Sequence, residues 1–528
     1  MHPNVTWLCR GAVVAAASGL LFSAQAFGAA APCRVPLGAA RSHSLAGASR
    51  LVPLCPPPSS RPERSTVASP TVEGPVTGGD GRPFLAATGF RIGDVGYSQA
   101  EYFISGVATG YTSASRFGTD GRWKVRAATS AAYETRIVVY RPADARDFSG
   151  TVFVEWLNVS GGLDSAPDWI SAHTEMLREG HAWVGVSAQF VGVEGGTAII
   201  GNAATGLKQA DPERYGALHH PGDTFSYDIF SQAGQAVRNP SGIDPLGGLE
   251  PEHVIAIGES QSAFRLVTYV NAIDPVARIY DGYLIHSRGG GSAALSQAPQ
   301  QIVNTPDVVH TRTDVRVPVL TFQTETDLTV LGYFPDRQPD SGSFRLWEVA
   351  GTAHADTYTL FVGQADKGDD PDVADVRIAS EPIPGIIKCD RPVNSGPQHW
   401  VLDAAVAAIE RWVRTGTAAP HSPRLETSDA GDILRDDRGN ALGGIRTSWV
   451  DAPVATLSGL GQTGAGFCGI FGTTVLFDDA TLRTLYPSHA DYVDAVARST
   501  DRALRAGFLR KADAELIKAN AAQSDIGG

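Results

Sequence analysis

Val254-Ile255-Ala256-Ile257-Gly258-Glu259-Ser260-Gln261-Ser262-Ala263-Phe264-Arg265-Leu266-Val267 is the stretch on which the fold turns. Val254 to Ile257 is a short unbroken apolar run, as expected of a strand buried on both faces. Ala263, Phe264, Leu266, Val267 and Val270 then recur at helical spacing. Strand, sharp turn and helix follow one another, with Gly258-Glu259-Ser260-Gln261-Ser262 as the turn. A serine on such a turn is lifted clear of the backbone at the positive end of a helix, and the next N–H, that of Gln261, points at a developing oxyanion. Ser260 is therefore the candidate nucleophile. Ser262 stands where the pattern usually has glycine, and the bare string would equally describe Ser260 as a helix N-cap.

The rest of the chain separates these readings. A nucleophilic serine needs a base, and the base needs a carboxylate to fix its tautomer and stabilise the imidazolium. Pro318 to Phe322 is an apolar strand running into the polar turn Gln323-Thr324-Glu325-Thr326-Asp327, and Leu346 to Val349 is another, ending in Ala350-Gly351-Thr352-Ala353-His354. Asp327 is the expected acid and His354 the expected base. Glu325, in the same turn, is the alternative acid; it could instead orient a loop or cap a helix. The chain order Ser, Asp, His is that of an α/β-hydrolase. A second oxyanion N–H is expected from the loop after the third core strand, Glu155-Trp156-Leu157-Asn158-Val159-Ser160-Gly161-Gly162, with Val159 as donor and Ser160 as the alternative.

Working outward, Glu101–Tyr111, Tyr133–Tyr140, Thr151–Leu157, Ala182–Ser187, Ile279–Ile285, Val317–Phe322 and Phe344–Val349 read as strands, and Trp169–Arg178 as a helix ending at Gly180. Buried strands alternating with helices imply a mostly parallel sheet covered on both faces. Phe190 to about Gly247 is an insertion whose part at about 190–225 is expected to cover the pocket as a lid, while Tyr227–Val237 packs on the sheet as a helix. An amphipathic helix at Trp400–Val413 opens a long C-terminal part. The extension at about 415–528, with helical patterns at Ala480–Leu485, His489–Ala506 and Lys511–Ala522, is expected to pack on the catalytic body.

Gly258-Glu259-Ser260-Gln261-Ser262-Ala263, Trp183-Val184-Gly185-Val186-Ser187-Ala188-Gln189, Asp211-Pro212-Glu213-Arg214-Tyr215-Gly216, His220-Pro221-Gly222-Asp223 and Tyr227-Asp228-Ile229-Phe230-Ser231-Gln232-Ala233 together resemble the bacterial "alpha/beta hydrolase domain" family. Asp281-Gly282-Tyr283, His286-Ser287-Arg288-Gly289-Gly290 and Gly443-Gly444-Ile445-Arg446-Thr447 continue the resemblance, which runs from about Val67 to the end; Ser448 follows where a typical member has proline. The resemblance implies an esterase-like serine hydrolase.

The 528 residues carry 43 Lys and Arg against 56 Asp and Glu, a formal charge of −13, which argues against nucleic acid or anionic lipid as the main partner. Arg10, the apolar run Gly11–Phe22 and Ala24-Gln25-Ala26 read as a signal peptide over residues 1–26, cleaved between about 26 and 31; the alternative, an uncleaved anchor, fits poorly with a run so rich in Ala and Gly. Residues 27–69, rich in Pro, Ser and Arg, read as a disordered linker before a hydrolase domain over 70–528. Cys9 leaves with the signal peptide. Of the four remaining cysteines, Cys389–Cys468 and Cys33–Cys55 are the expected disulfides, with buried free thiols as the alternative for the former pair. No Cys/His spacing suits zinc, so no metal is expected. Gly459-Leu460-Gly461-Gln462-Thr463-Gly464 fits a dinucleotide glycine pattern by letter alone, and no cofactor is expected from it. Asn158-Val159-Ser160, a formal glycosylation sequon, falls in the oxyanion loop and is read as chance.

These features converge on an exported protein, secreted or periplasmic, that hydrolyses small carboxylic esters through an acyl-enzyme, without a membrane, nucleic-acid or obligate protein partner. An amidase or acyltransferase on the same triad, or an inactive secreted binding protein on the same fold, are the other readings.

Overall fold

Ten strands share one sheet in the computed structural model, which describes residues 67–199, 203–383 and 387–528. The expected signal peptide, all but the end of the linker, and the Cys33–Cys55 pair lie outside the described residues. The strands are β1 (Thr71–Glu73), β2 (Tyr97–Thr112), β3 (Arg126–Pro142), β4 (Thr151–Trp156), β5 (Ala182–Val186), β6 (Ser241–Gly242), β7 (His253–Glu259), β8 (Gly282–His286), β9 (Val319–Gln323) and β10 (Phe344–Glu348). Their order across the sheet is β10-β9-β8-β7-β4-β5-β3-β2-β1-β6. From β10 to β5 every pairing is parallel. β3 and β2 then run antiparallel as a long hairpin, bulged between Gly110 and Tyr111.

The apolar run that marked β7 is unbroken because its alternate residues enter two different cores. Val254 and Ala256 face one side, with Ile229 and Phe230 of α2 (Ser226–Arg238) and Ala263 and Leu266 of α3 (Gln261–Thr268). Ile255 and Ile257 face the other, with Trp169 and Met176 of α1 (Pro167–Arg178) and Val401 and Leu402 of the long helix Gln398–Thr415. The period of two along a strand thus becomes two helical layers on one sheet.

Chain order and sheet order part company at β4. The chain leaves β4 for β5 on one side, then returns to β7 on the other, so β4 and β7 are neighbours whose following loops diverge. A crevice outside the carboxyl ends of the strands opens where the order reverses in this way. The loop from Asn158 and the turn at Ser260 border that crevice.

The C-terminal helices His489–Ala506 and Lys511–Gln523 share an apolar cluster with Trp400, Trp449 and Leu457, and so join the body through the helix that carries Trp400. A disulfide links Cys389 to Cys468, and the strand Ile387–Cys389 pairs antiparallel with Gly464–Gly466. The glycine-rich stretch before it has a packing role: a Cβ on Gly459 would lie 2.6 Å from the Cβ of Glu325. Among the described residues no helix is long and apolar enough to cross a membrane.

Candidate active site

Ser260 has φ 55° and ψ −119°, a left-handed conformation that a non-glycine residue holds only when its surroundings impose it. Two restraints are visible. Its N–H donates to the carbonyl of His286 at the end of β8 (3.0 Å), and its carbonyl accepts from the N–H of Phe264 (3.1 Å). Gly258 is required by the same turn, since a Cβ there would come within 3.0 Å of Leu266 and 3.2 Å of the Cβ of Ser262. Ser262 is small enough to be tolerated where glycine is usual.

β10 ends beside β9, and the chain turns through Gly351 (φ 78°) to bring His354 over the end of β7. The Nε2 atom of His354 lies 2.7 Å from Ser260 Oγ, and its Nδ1 lies 2.6 Å from Asp327 Oδ1. Asp327 belongs to the short helix Glu325–Thr329, whose first turn closes on itself: the Asp327 N–H donates to Thr324 Oγ1 (3.3 Å), and the Thr324 N–H donates to Asp327 Oδ2 (2.6 Å). One carboxylate oxygen is thereby fixed by the backbone and the other is left for the imidazole.

A family described as alpha/beta hydrolase domain matches residues 72–519 of the sequence. The chain belongs to this family. Among solved structures it is similar to an α/β serine hydrolase without a lid from Xanthomonas campestris (12% identity, 42% of this chain and 80% of that one, TM-score 0.26). It is also similar to a fungal esterase from Rhizomucor miehei (10% identity, 50% of this chain and 78% of that one, TM-score 0.25). No curated protein matches the sequence.

The other acid of the hydrolase's turn does not meet the imidazole. Glu325 is fully buried and turned away, accepting the N–H of Gly351 (2.7 Å), the N–H of Gly459 (3.1 Å) and Arg435 Nη2 (2.8 Å). It binds together the loop that delivers His354 and the loop behind it.

In the loop after β4, the Ser160 N–H donates to Asn158 Oδ1 (2.8 Å). The Asn158 N–H is likewise taken, by the Ser165 carbonyl (2.9 Å). Val159 N–H has no acceptor among the described residues, and Gln261, at the first position of α3, has no intrahelical one.

Four further polar residues, Glu259, His286, Asp168 and Gln398, meet here, none of them given a role from the sequence. Glu259 Oε1 lies 3.3 Å from His354 Nε2, and its other oxygen accepts from Asn158 Nδ2 (3.1 Å). His286 Nδ1 lies 2.9 Å from Asp168 Oδ1, and Gln398 Nε2 reaches both His286 Nε2 (3.1 Å) and the His354 carbonyl (3.3 Å). Glu259 lay inside the quoted motif, which was the available signal; Gln398 had none.

Burial by itself would lower the pKa of His354, but the carboxylates of Asp327 and Glu259 outweigh it and raise the imidazole above its ordinary value. Burial pushes Glu259 up to about 7, against the opposing pull of His354 and His286. Among the described residues, no cluster of three or more His, Cys, Asp or Glu could hold a metal ion.

Proposed function

We propose that this alpha/beta hydrolase is an exported carboxylic ester hydrolase that acts through an acyl intermediate on Ser260. The observation that carries the reading is the unbroken line Ser260 Oγ, His354 Nε2, His354 Nδ1, Asp327 Oδ1, with contacts of 2.7 and 2.6 Å. As Oγ attacks the ester carbonyl, its proton passes to Nε2, and the carbonyl oxygen becomes an oxyanion facing the N–H groups of Gln261 and Val159. Asp327 keeps the second ring proton on Nδ1 and stabilises the imidazolium. The Nε2 proton then passes to the leaving alcohol oxygen as the C–O bond breaks. Water, deprotonated by the same nitrogen, releases the acid and restores Ser260.

Export is the companion reading. The signal-like N-terminus and the Cys389–Cys468 disulfide both suit an oxidising compartment.

The test is Ser260→Ala assayed on p-nitrophenyl esters of graded chain length, with fluorophosphonate labelling of the wild type. Labelling at Ser260 together with loss of ester hydrolysis in a folded Ser260→Ala variant is expected. Full activity in that variant, or a wild type that takes no label, would count against the assignment; amine and alcohol acceptors offered to the unlabelled wild type during ester turnover distinguish hydrolysis from acyl transfer.

A further inference from the structure

Taking Ser260 and His354 as nucleophile and base, we infer that Glu259, the residue immediately before the nucleophile, is a positioning residue that holds the imidazolium of His354 from its Nε2 edge and thereby sets the base strength of the ring.

The geometry gives His354 a carboxylate at each ring nitrogen. Asp327 occupies Nδ1 at 2.6 Å, and Glu259 Oε1 approaches Nε2 at 3.3 Å, beside Ser260 Oγ at 2.7 Å. Glu259 is not a wandering side chain. It is buried, and Asn158 Nδ2 donates both to its Oε2 (3.1 Å) and to its backbone carbonyl (3.2 Å). The Asn158 amide is itself fixed by the Ser160 N–H (2.8 Å). Once ionised, above the pKa of about 7 to which burial pushes it, a carboxylate held so rigidly in a poorly hydrated place acts strongly on a neighbouring charge.

Its effect differs between the two states of the ring. In the neutral resting ring, Nε2 presents a lone pair, which gains nothing from a carboxylate oxygen. Once the Ser260 proton has moved to Nε2, the same oxygen faces an N–H that carries positive charge. The interaction is therefore stronger in the charged state through which acylation passes, and differential stabilisation of that kind raises the rate of proton removal. Glu259 neither gains nor loses the proton in transit, which goes from Ser260 Oγ to Nε2 and on to the leaving oxygen. The same attraction traps the ring as imidazolium, which is no base, further up the pH scale.

Other groups face this pair from every side. Asp327 approaches from its short helix, His286 from the end of β8 and Asp168 from α1. Asp356 lies on the His354 loop, pushed up to about 6 by burial, and Glu155 backs Asp168 by accepting its N–H (3.0 Å). Wild type and variants share all of these, so a comparison between them isolates position 259.

The experiment measures kcat and kcat/KM on a p-nitrophenyl ester against pH for the full chain, for E259Q and for E259D, with fluorophosphonate labelling and thermal unfolding of each. E259Q keeps an acceptor oxygen for Asn158 and removes only the charge. Its acid limb is expected to move to lower pH by about one unit, with plateau kcat down about tenfold and KM little changed. E259D, whose carboxylate stops short of Nε2, is expected to move the limb the same way by less. A merely structural Glu259 predicts folded, labelled variants whose acid limbs coincide with that of the wild type, and that result overturns the inference. Should E259Q fail to fold, the limb of E259D decides by the same criterion. Failure of the underlying reading looks different: a wild type not labelled at Ser260 removes nucleophile and base together, whatever the limbs do.

Discussion

The carboxylate of Glu325 accepts the backbone N–H of Gly351 at 2.7 Å, and so anchors the loop that delivers His354 three residues later. Asp327, from the same short helix, takes the imidazole itself. The two acids should therefore fail in different ways. Glu325→Ala leaves two backbone donors and Arg435 without their acceptor, and a loss of about 3 kcal/mol in unfolding free energy is expected, with activity falling as the loop loosens. Asp327→Asn keeps an acceptor for the Thr324 N–H but offers an amide to the ring; stability should change little while kcat falls on the order of 10⁴-fold. Urea unfolding and ester turnover of both variants check this, and an Asp327→Asn enzyme of near-normal kcat would be incompatible with it.

Asn158 joins the loop after β4 to the turn at Ser260, donating to Glu259 while accepting from Ser160. Its removal frees the loop that presents the Val159 N–H. For Asn158→Ala, kcat is expected to fall about 100-fold, in the range seen when one oxyanion donor is lost, with a smaller effect on KM. A variant that raises KM and leaves kcat intact would instead make Asn158 a contact for the bound substrate.

What the sequence disclosed about this site follows from which contacts are local. The unbroken run Val254–Ile257 announces a strand covered on both sides, and the turn at Gly258–Ser262 is read from adjacent residues. The occupied Ser160 N–H was also within reach, because an Asn two residues upstream commonly accepts such a hydrogen bond from its side chain. Other features exist only after the chain has folded. β1 and β6 are three and two residues long; β1 exists by antiparallel pairing with β2, and β6 by parallel pairing with β1. Glu259 gains its meaning from His354, ninety-odd residues away, and Gln398 from the meeting of His286 and His354. The neighbours of Gln398 and of the two short strands could not report them, and those of Glu259 marked only its place beside the nucleophile.

The Cys389–Cys468 disulfide spans a separation of 79 residues, which includes the helix Gln398–Thr415 packed on the sheet. Closing so long a loop removes much of the freedom of the unfolded chain. By the chain-entropy relation, the Cys389→Ser/Cys468→Ser variant should lose about 4 kcal/mol of stability. Denaturant midpoints for the oxidised protein and the double variant measure the loss; equal midpoints would mean that the bridge constrains nothing the packed helix does not already hold.

Asp513, near the start of the last helix, points into a buried cluster with Asp403, Glu175, Arg178, Arg510 and His399. Burial, then the neighbouring Asp403, pushes its pKa up to about 7 despite the opposing contact with Arg178. Burial likewise raises Asp403 to about 7 and Glu175 to about 9. A carboxylate whose folded pKa exceeds its unfolded value of about 4 holds a proton in the folded state that the unfolded chain has released. Its contribution to stability is therefore complete below about pH 4 and is lost as the pH rises through the folded value. Asp513→Asn cannot titrate. The stability of the wild type relative to this variant should accordingly decline as pH increases from about 4 to about 7. His173 and His399, whose pKa values burial lowers, oppose that trend in the absolute curves but are common to both proteins. Urea unfolding of both at either end of this interval gives the difference directly, and a gap that widens in favour of the wild type as the solution becomes more alkaline would show that Asp513 is ionised in the folded protein throughout.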